Sequence, residues 1–365
     1  MKQKCLTIIV ALLLVMTSTA AYAENVTLNI GLQDAINMAM KDNPQLVSAE
    51  TKIEDAQRQH EEAKRDKKEA TGPVRLPSGI SLAFVKNGYY VDQAAIGIEC
   101  AKREKAKTES NMAYDVTKKY YSVKLAESLY NSSAAAYNLA VENKSSVDKS
   151  FELGLASGID VSNAAYAVAQ TKAACSSSER NLALAMENLK ISLQIEDMDT
   201  ELILIDGIDY IPFQANITDD IQKAMETRYD IYSLKSVRDQ ALRYKDVTGL
   251  LLGIKSSEYS SANQSFVQSE YTYTNTKKMI GLSIKSSYNE ILNAADSLNL
   301  AEQNLNLKTQ EYDIAKVQYE IGMLTNSQLT ATLNAMTSAK IELENAKLTY
   351  KLAVEKYGYE ITTGL

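Results

Sequence analysis

The chain has 365 residues, 45% hydrophobic and 23% charged, with only 4 prolines and 14 glycines. So few breakers favour long helices over a many-stranded sheet protein. A formal charge of −7 makes nucleic acid and anionic membrane surfaces poor partners for the chain as a whole.

Residues 1–23 place Lys2 and Lys4 before an apolar run from Leu6 to Met16 and end in Ala21, Tyr22 and Ala23. This is the pattern of a secretory signal peptide cleaved before Glu24, giving an exported protein. Its apolar run is too short for a retained span, and no later stretch reaches the roughly 18 apolar residues a membrane helix needs. Cys5 leaves with the leader, and Cys100 and Cys175 are too few for a disulfide scaffold.

The segment "IGLQDAINMAMKDNPQL" reads as a short amphipathic helix. The run "EDAQRQHEEAKRDKKEA" alternates charge signs at helical spacing, the mark of a solvated helix face, and holds the one histidine, His60. "HEEAK" lacks the second histidine of a zinc-protease helix, so no metal site is expected. Next, Ile80, Leu82 and Phe84 alternate before Asn87-Gly88, and Tyr89 and Val91 follow, which predicts a short β-hairpin on a type I′ turn.

A long helix then runs to Gly154 through Val123, Ala126, Tyr130, Tyr137 and Val141. Gly154 and Gly158, in "FELGLASGIDV", mark a hairpin tip, because glycine is costly inside a helix and preferred where one stops. Displaced by 168 residues, "YEIGMLTNSQL" repeats this tip at Gly322. Val161, Val168, Cys175, Leu182, Met186 and Leu189 fall on Leu329, Met336, Leu343, Tyr350, Val354 and Tyr357, a coiled-coil seam stepping by threes and fours. Leu298, Ala301, Leu305, Tyr312, Ala315 and Tyr319 form the incoming arm of the second hairpin. The arms before each tip are expected to run about 40 to 50 residues, or roughly 60 to 75 Å.

Each copy opens alike, with Ala39 and Met40 matching Ala224 and Met225 at a displacement of 185. The two repeats are placed at 28–196 and 214–360, joined by a linker at 197–213 that reads as a short strand or turn. In the second copy, Ser260 to Thr276 is polar and supports only a degenerate hairpin. The fold class is therefore mainly α: two tandem long antiparallel coiled-coil hairpins with a short or degenerate β-hairpin region per repeat.

These features together resemble the TolC family of outer-membrane efflux ducts, over essentially all of the mature chain, 24–365. Asn43-Pro44-Gln45-Leu46 is similar to the family's entry motif, and Leu76-Pro77-Ser78 to its approach to the first strand. Leu153-Gly154-Leu155 with Ser157, and Ile321-Gly322-Met323 with Thr325, resemble its Val-Gly-Leu-x-Thr tips. The resemblance implies a homotrimeric, passive exit duct of a tripartite efflux or type I secretion system. It also implies a periplasmic adaptor (membrane fusion) protein docked on those eight tip residues, an inner-membrane transporter behind it, and a place in the outer membrane or cell envelope. Of the family's two acidic positions before the second tip, which narrow the channel, one falls on Asp313 and the other on Lys316.

The strand segments Ile80 to Lys86 and Tyr89 to Gln93 are shorter than the 9 to 11 residues or so of a membrane strand, so a reduced or absent barrel is expected. The competing reading is an extracytoplasmic coiled-coil spacer that conducts nothing. An enzyme is the least favoured class, given one histidine, no glycine-rich phosphate loop and no catalytic constellation; no cofactor is expected.

Overall fold

Long breaker-free stretches become long helices. The computed structural model describes residues 27–70, 80–208 and 210–364, so the expected leader and Leu76-Pro77-Ser78 lie outside the described residues. Strand β1 (Thr27–Ile30) leads into α1 (Leu32–Met40), α2 (Pro44–Ala70), α3 (Ile80–Lys86), α4 (Tyr89–Glu152) and α5 (Gly158–Ser192). Strand β2 (Glu201–Leu204) then precedes α6 (Ile217–Thr227), α7 (Tyr229–Leu252), α8 (Ser257–Glu320) and α9 (Asn326–Glu360). Helices α4 and α8 have 64 residues each and α5 and α9 have 35 each. Every boundary of the second pair lies 168 residues beyond its counterpart. At 1.5 Å per residue the longer helices extend roughly 96 Å.

Helices α4 and α5 pack as one antiparallel hairpin and α8 and α9 as the other, and α9 lies against α4, so the layer runs α5–α4–α9–α8. Toward the opposite end from the tips, α2 packs on α4 and α7 on α8. The expected seam faces inward: Leu298, Ala301, Ala315, Leu329, Leu333, Leu343, Tyr350 and Tyr357 are buried. The seam is drier on α9, which has neighbours on two sides, than on α5 at the layer's edge. Val141 points outward, and Ala140 and Val147 take the buried positions of that arm instead.

Each repeat has its own core around the middle of the long helices. One gathers Ile30, Ile36, Val116, Val123, Leu189 and Leu204; the other gathers Ile231, Ile284, Ile291, Leu298 and Tyr357. Strands β1 and β2 pair in parallel, Leu28 opposite Leu202 and Ile30 opposite Leu204, which ties the linker back to the start of the described chain. A buried tyrosine secures each repeat's connecting segment, because a buried hydroxyl must find partners. The Tyr120 hydroxyl donates to the Ile30 carbonyl at 3.2 Å and accepts from the Asp206 amide at 3.0 Å. The Tyr350 hydroxyl donates to the Ile211 carbonyl at 2.8 Å and accepts from the Phe213 amide at 2.9 Å.

The segments expected to be strands are helical. Ile80 to Lys86 is α3, Tyr89 to Gln93 opens α4, and Ser260 to Thr276 lies inside α8. Asn87-Gly88 serves as a helix junction rather than a type I′ turn: Gly88 takes φ +79°, and the Asn87 side chain accepts from the Tyr89 amide at 3.0 Å. The alternation of Ile80, Leu82 and Phe84 is overridden by tertiary packing. Phe84 is 1% exposed and stacks on Tyr244 of α7, with ring centroids 4.8 Å apart. In α8, Tyr273 lies under the Arg238 guanidinium and Phe266 under the Lys245 ammonium, so α7 holds this stretch as helix. Among the described residues, β1 and β2 are the only strands. This is why the long helices exceed the expected 40 to 50 residues or so.

Candidate docking tips and open edges

Both tips are built from the same hydrogen bonds. At the end of α4, Gly154 takes φ +73°, the Leu155 amide donates to the Ser150 carbonyl at 2.8 Å, and the Gly154 amide donates to the Phe151 carbonyl at 2.9 Å. At the end of α8, Gly322 takes φ +76°, the Met323 amide donates to Gln318 at 2.8 Å, and the Gly322 amide donates to Tyr319 at 2.9 Å. This is the Schellman arrangement, in which a left-handed residue lets the last carbonyls find donors.

Three residues on, the chain re-enters a helix through a capping box. The Ser157 hydroxyl accepts from the Asp160 amide at 3.3 Å, and the Asp160 carboxylate accepts from the Ser157 amide at 2.9 Å. Thr325 and Gln328 reproduce both bonds, at 3.4 and 2.9 Å. The side-chain and backbone bonds from Ser157 hold the Asp160 carboxyl below its ordinary range. Sequence reading singled out Ser157 and Thr325 but passed over Asp160 and Gln328, although Ser-x-x-Asp and Thr-x-x-Gln carry the capping signal.

With these bonds made inside each turn, the apolar side chains point away. Leu155 is 79% exposed and Met323 73%, and Leu153 and Ile321 are exposed beside them. The tips stand side by side, with the Asn143 amide of α4 bonded to Asn326 at the start of α9. Just below them a groove of about 220 Å³ separates the hairpins, lined by Gln170, Tyr312, Tyr319 and Leu333 among others. Burial, then the charge of Asp313, pushes the Tyr312 hydroxyl pKa up, and burial followed by Asp160 does the same to Tyr319.

Asp313 and Lys316 are both exposed on α8, near that groove, and Asp313 makes no ion pair among the described residues. The structure thus brings the eight tip residues to one end and leaves Asp313 on a helix flank. Cys100 and Cys175 are free, half-buried thiols, and burial pushes the Cys100 thiol up, away from a reactive thiolate.

One feature that sequence reading missed is a second apolar stripe on each edge helix. On α8, Leu300, Leu307, Ile314 and Ile321 recur every seven residues and are exposed. On α5, Ile159 and Tyr166, then Leu184 and Ile191, do the same. Heptad spacing beside the first seam was the signal available. Fully burying one such side chain contributes about 1.5 to 3 kcal/mol, so a stripe left bare on a rod this long calls for a neighbour.

This arrangement is similar to that of several solved outer-membrane channels. Residues 251–356 match the family described as "Outer membrane efflux protein". Among solved structures, the chain superposes on the CmeC outer membrane channel of Campylobacter jejuni with a TM-score of 0.70, at 15% identity, covering 91% of this chain and 85% of that one. It superposes on the outer membrane protein VceC of Vibrio cholerae with a TM-score of 0.72, at 14% identity, covering 91% and 96%. The MtrE outer membrane channel of Neisseria gonorrhoeae gives a TM-score of 0.70 at 13% identity, covering 92% and 89%. No curated protein matches the chain in sequence. The chain thus has the fold of these channels over nine-tenths of its length, and its second hairpin carries the sequence pattern of the outer membrane efflux protein family.

Proposed function

We propose that the protein is the exit duct of a tripartite efflux or type I secretion system. It acts as a passive homotrimeric channel, exported to the outer membrane or cell envelope, that docks a periplasmic adaptor (membrane fusion) protein. The observation that carries this reading is the pair of identically built, exposed tips at one end of a layer with two open edges. The stripe on α8 of one copy faces the stripe on α5 of the next, a head-to-tail contact that closes into a ring. Repeats 28–196 and 214–360 each supply one hairpin to that ring.

In the ring, Leu153, Leu155, Ile321 and Met323 form a repeated apolar crown that an adaptor's own helical tips can grip. The chain then performs no chemistry. Its work is to hold a lumen open while the transporter behind the adaptor supplies the energy. A spacer without conduction is the second reading, favoured by the helical end opposite the tips.

Replacing Leu155→Asp together with Met323→Asp tests docking. Export of a fluorescent dye from cells dependent on this duct is expected to be lost while Tm changes by less than about 2 °C, because neither side chain has a core to leave. Unchanged export would exclude the tips as the docking surface, and a collapse in Tm would make them core.

A further inference from the structure

The turn between α7 and α8, opposite the docking tips, carries the sequence Gly249-Leu250-Leu251-Leu252-Gly253-Ile254-Lys255. Leu250 is 86% exposed and Ile254 72%, and Leu251 and Leu252 are nearly half exposed. The turn is built to hold them outward. The Gly253 amide donates to the Gly249 carbonyl at 3.0 Å, and Gly253 takes φ +82°, a conformation that side-chain-bearing residues rarely adopt. Ser256 then caps α8 by accepting from the Tyr259 amide at 3.1 Å. A Cβ on Gly249 would sit 3.0 Å from the Tyr259 ring, so the glycine lets that ring support the apex from beneath.

We propose that this apex inserts into the interfacial layer of a lipid bilayer. Its surface is convex and purely aliphatic at the crest. A protein partner would need a matching pocket and offer hydrogen bonds, whereas a fluid acyl layer accepts such a shape directly. The charges are arranged to suit headgroups. Lys255, exposed beside Ile254, makes no ion pair among the described residues. Below the crest, Asp92 and Asp246 are matched by Arg243 and Lys245. Glu258 lies in the first turn of α8, where the helix dipole offsets its charge. Although the chain carries −7 overall, headgroups feel only charges within about 8 Å.

One apex of four aliphatic side chains gives weak, reversible attachment, and repetition on several copies strengthens it through avidity. The inference rests on the apex alone and is independent of the docking reading. It attaches one end of the protein to a membrane without requiring it to span one.

The chain has no tryptophan, so Leu250→Trp places its single tryptophan, excited selectively beyond the tyrosine band, at the crest. With phosphatidylcholine vesicles containing phosphatidylglycerol, its emission is expected to shift to the blue and to be quenched when the acyl chains are brominated. Leu250→Asp combined with Ile254→Asp is expected to weaken vesicle flotation at least about tenfold with unchanged circular dichroism, and Lys255→Glu several-fold less. Unshifted, unquenched emission with vesicles would overturn the proposal, even if the aspartate variant misfolds. So would a blue shift that follows protein concentration without lipid, because a second copy would then be the occupant.

Discussion

The two ends of this molecule are held to different standards. At the tips, both repeats use the same turn, residue for residue: glycine at +73° and +76°, the same Schellman bonds, the same capping box. At the far end the repeats part. Residues 71–88 separate α2 from α4 and include α3, whereas residues 253–256 suffice between α7 and α8. This accounts for 14 of the 17 residues between the 185 and 168 displacements, and the other three are the extra length of α2, with 27 residues, over α7, with 24. Under the proposed function both hairpins present equivalent crowns to one ring, which would keep the two tips from diverging. The far end is under no such demand for equivalence, and it is closed by a covering helix in one repeat and by an apolar turn in the other.

The sharpest way to test that contrast is to disturb the far end alone. Phe84→Ala removes a ring that is 1% exposed and leaves a cavity against Tyr244 and Tyr89. A loss of about 3 kcal/mol in the docking of α3 is expected, so its amides should exchange roughly a hundredfold faster while those at both tips are unchanged. Faster exchange at the tips would show that the ends are coupled.

Gly154→Val and Gly322→Val test whether the tips are equivalent. No atom lies within 4 Å of either added Cβ, so the cost is backbone strain alone, about 1 to 2 kcal/mol and equal at the two sites. Thermal unfolding would show the shift, and a large inequality would break the equivalence. Ser157→Ala and Thr325→Ala are each expected to cost about 1 kcal/mol.

The smallest effect separates the tips by acid. The folded-state pKa of Asp160 is lowered by its bonds to Ser157, so its contribution is present above the ordinary aspartate range and is lost as pH falls through the folded value. Gln328 does not titrate, so acid should loosen the start of α5 before that of α9. Hydrogen exchange at low pH measures this, and simultaneous loosening would contradict it.

Much of the fold was legible because periodicity and repetition report on it directly. Leu298, Ala301, Leu343 and Tyr357 all turn inward as their spacing implied, and the tips fall where glycine interrupts two aligned helices. The far end was not legible. Five alternating residues around Leu82 suit a strand or a short helix equally, and the choice is made by Tyr244, about 160 residues away in sequence. The tip residues were found from their pattern, but the set of Schellman and capping bonds that turns their side chains outward is completed by Asp160 and Gln328. The outer stripes were present as plain heptads and were eclipsed by the stronger seam beside them.

The proposed function rests on ring closure through those stripes, which would turn two helical hairpins into a duct. Electron microscopy of the purified protein tests it most directly. The expected particle is a hollow cylinder of three chains, with α8 of each copy lying against α5 of the next and helical density continuing to the end opposite the tips. A folded monomer, or a filled rod with no lumen, would contradict it.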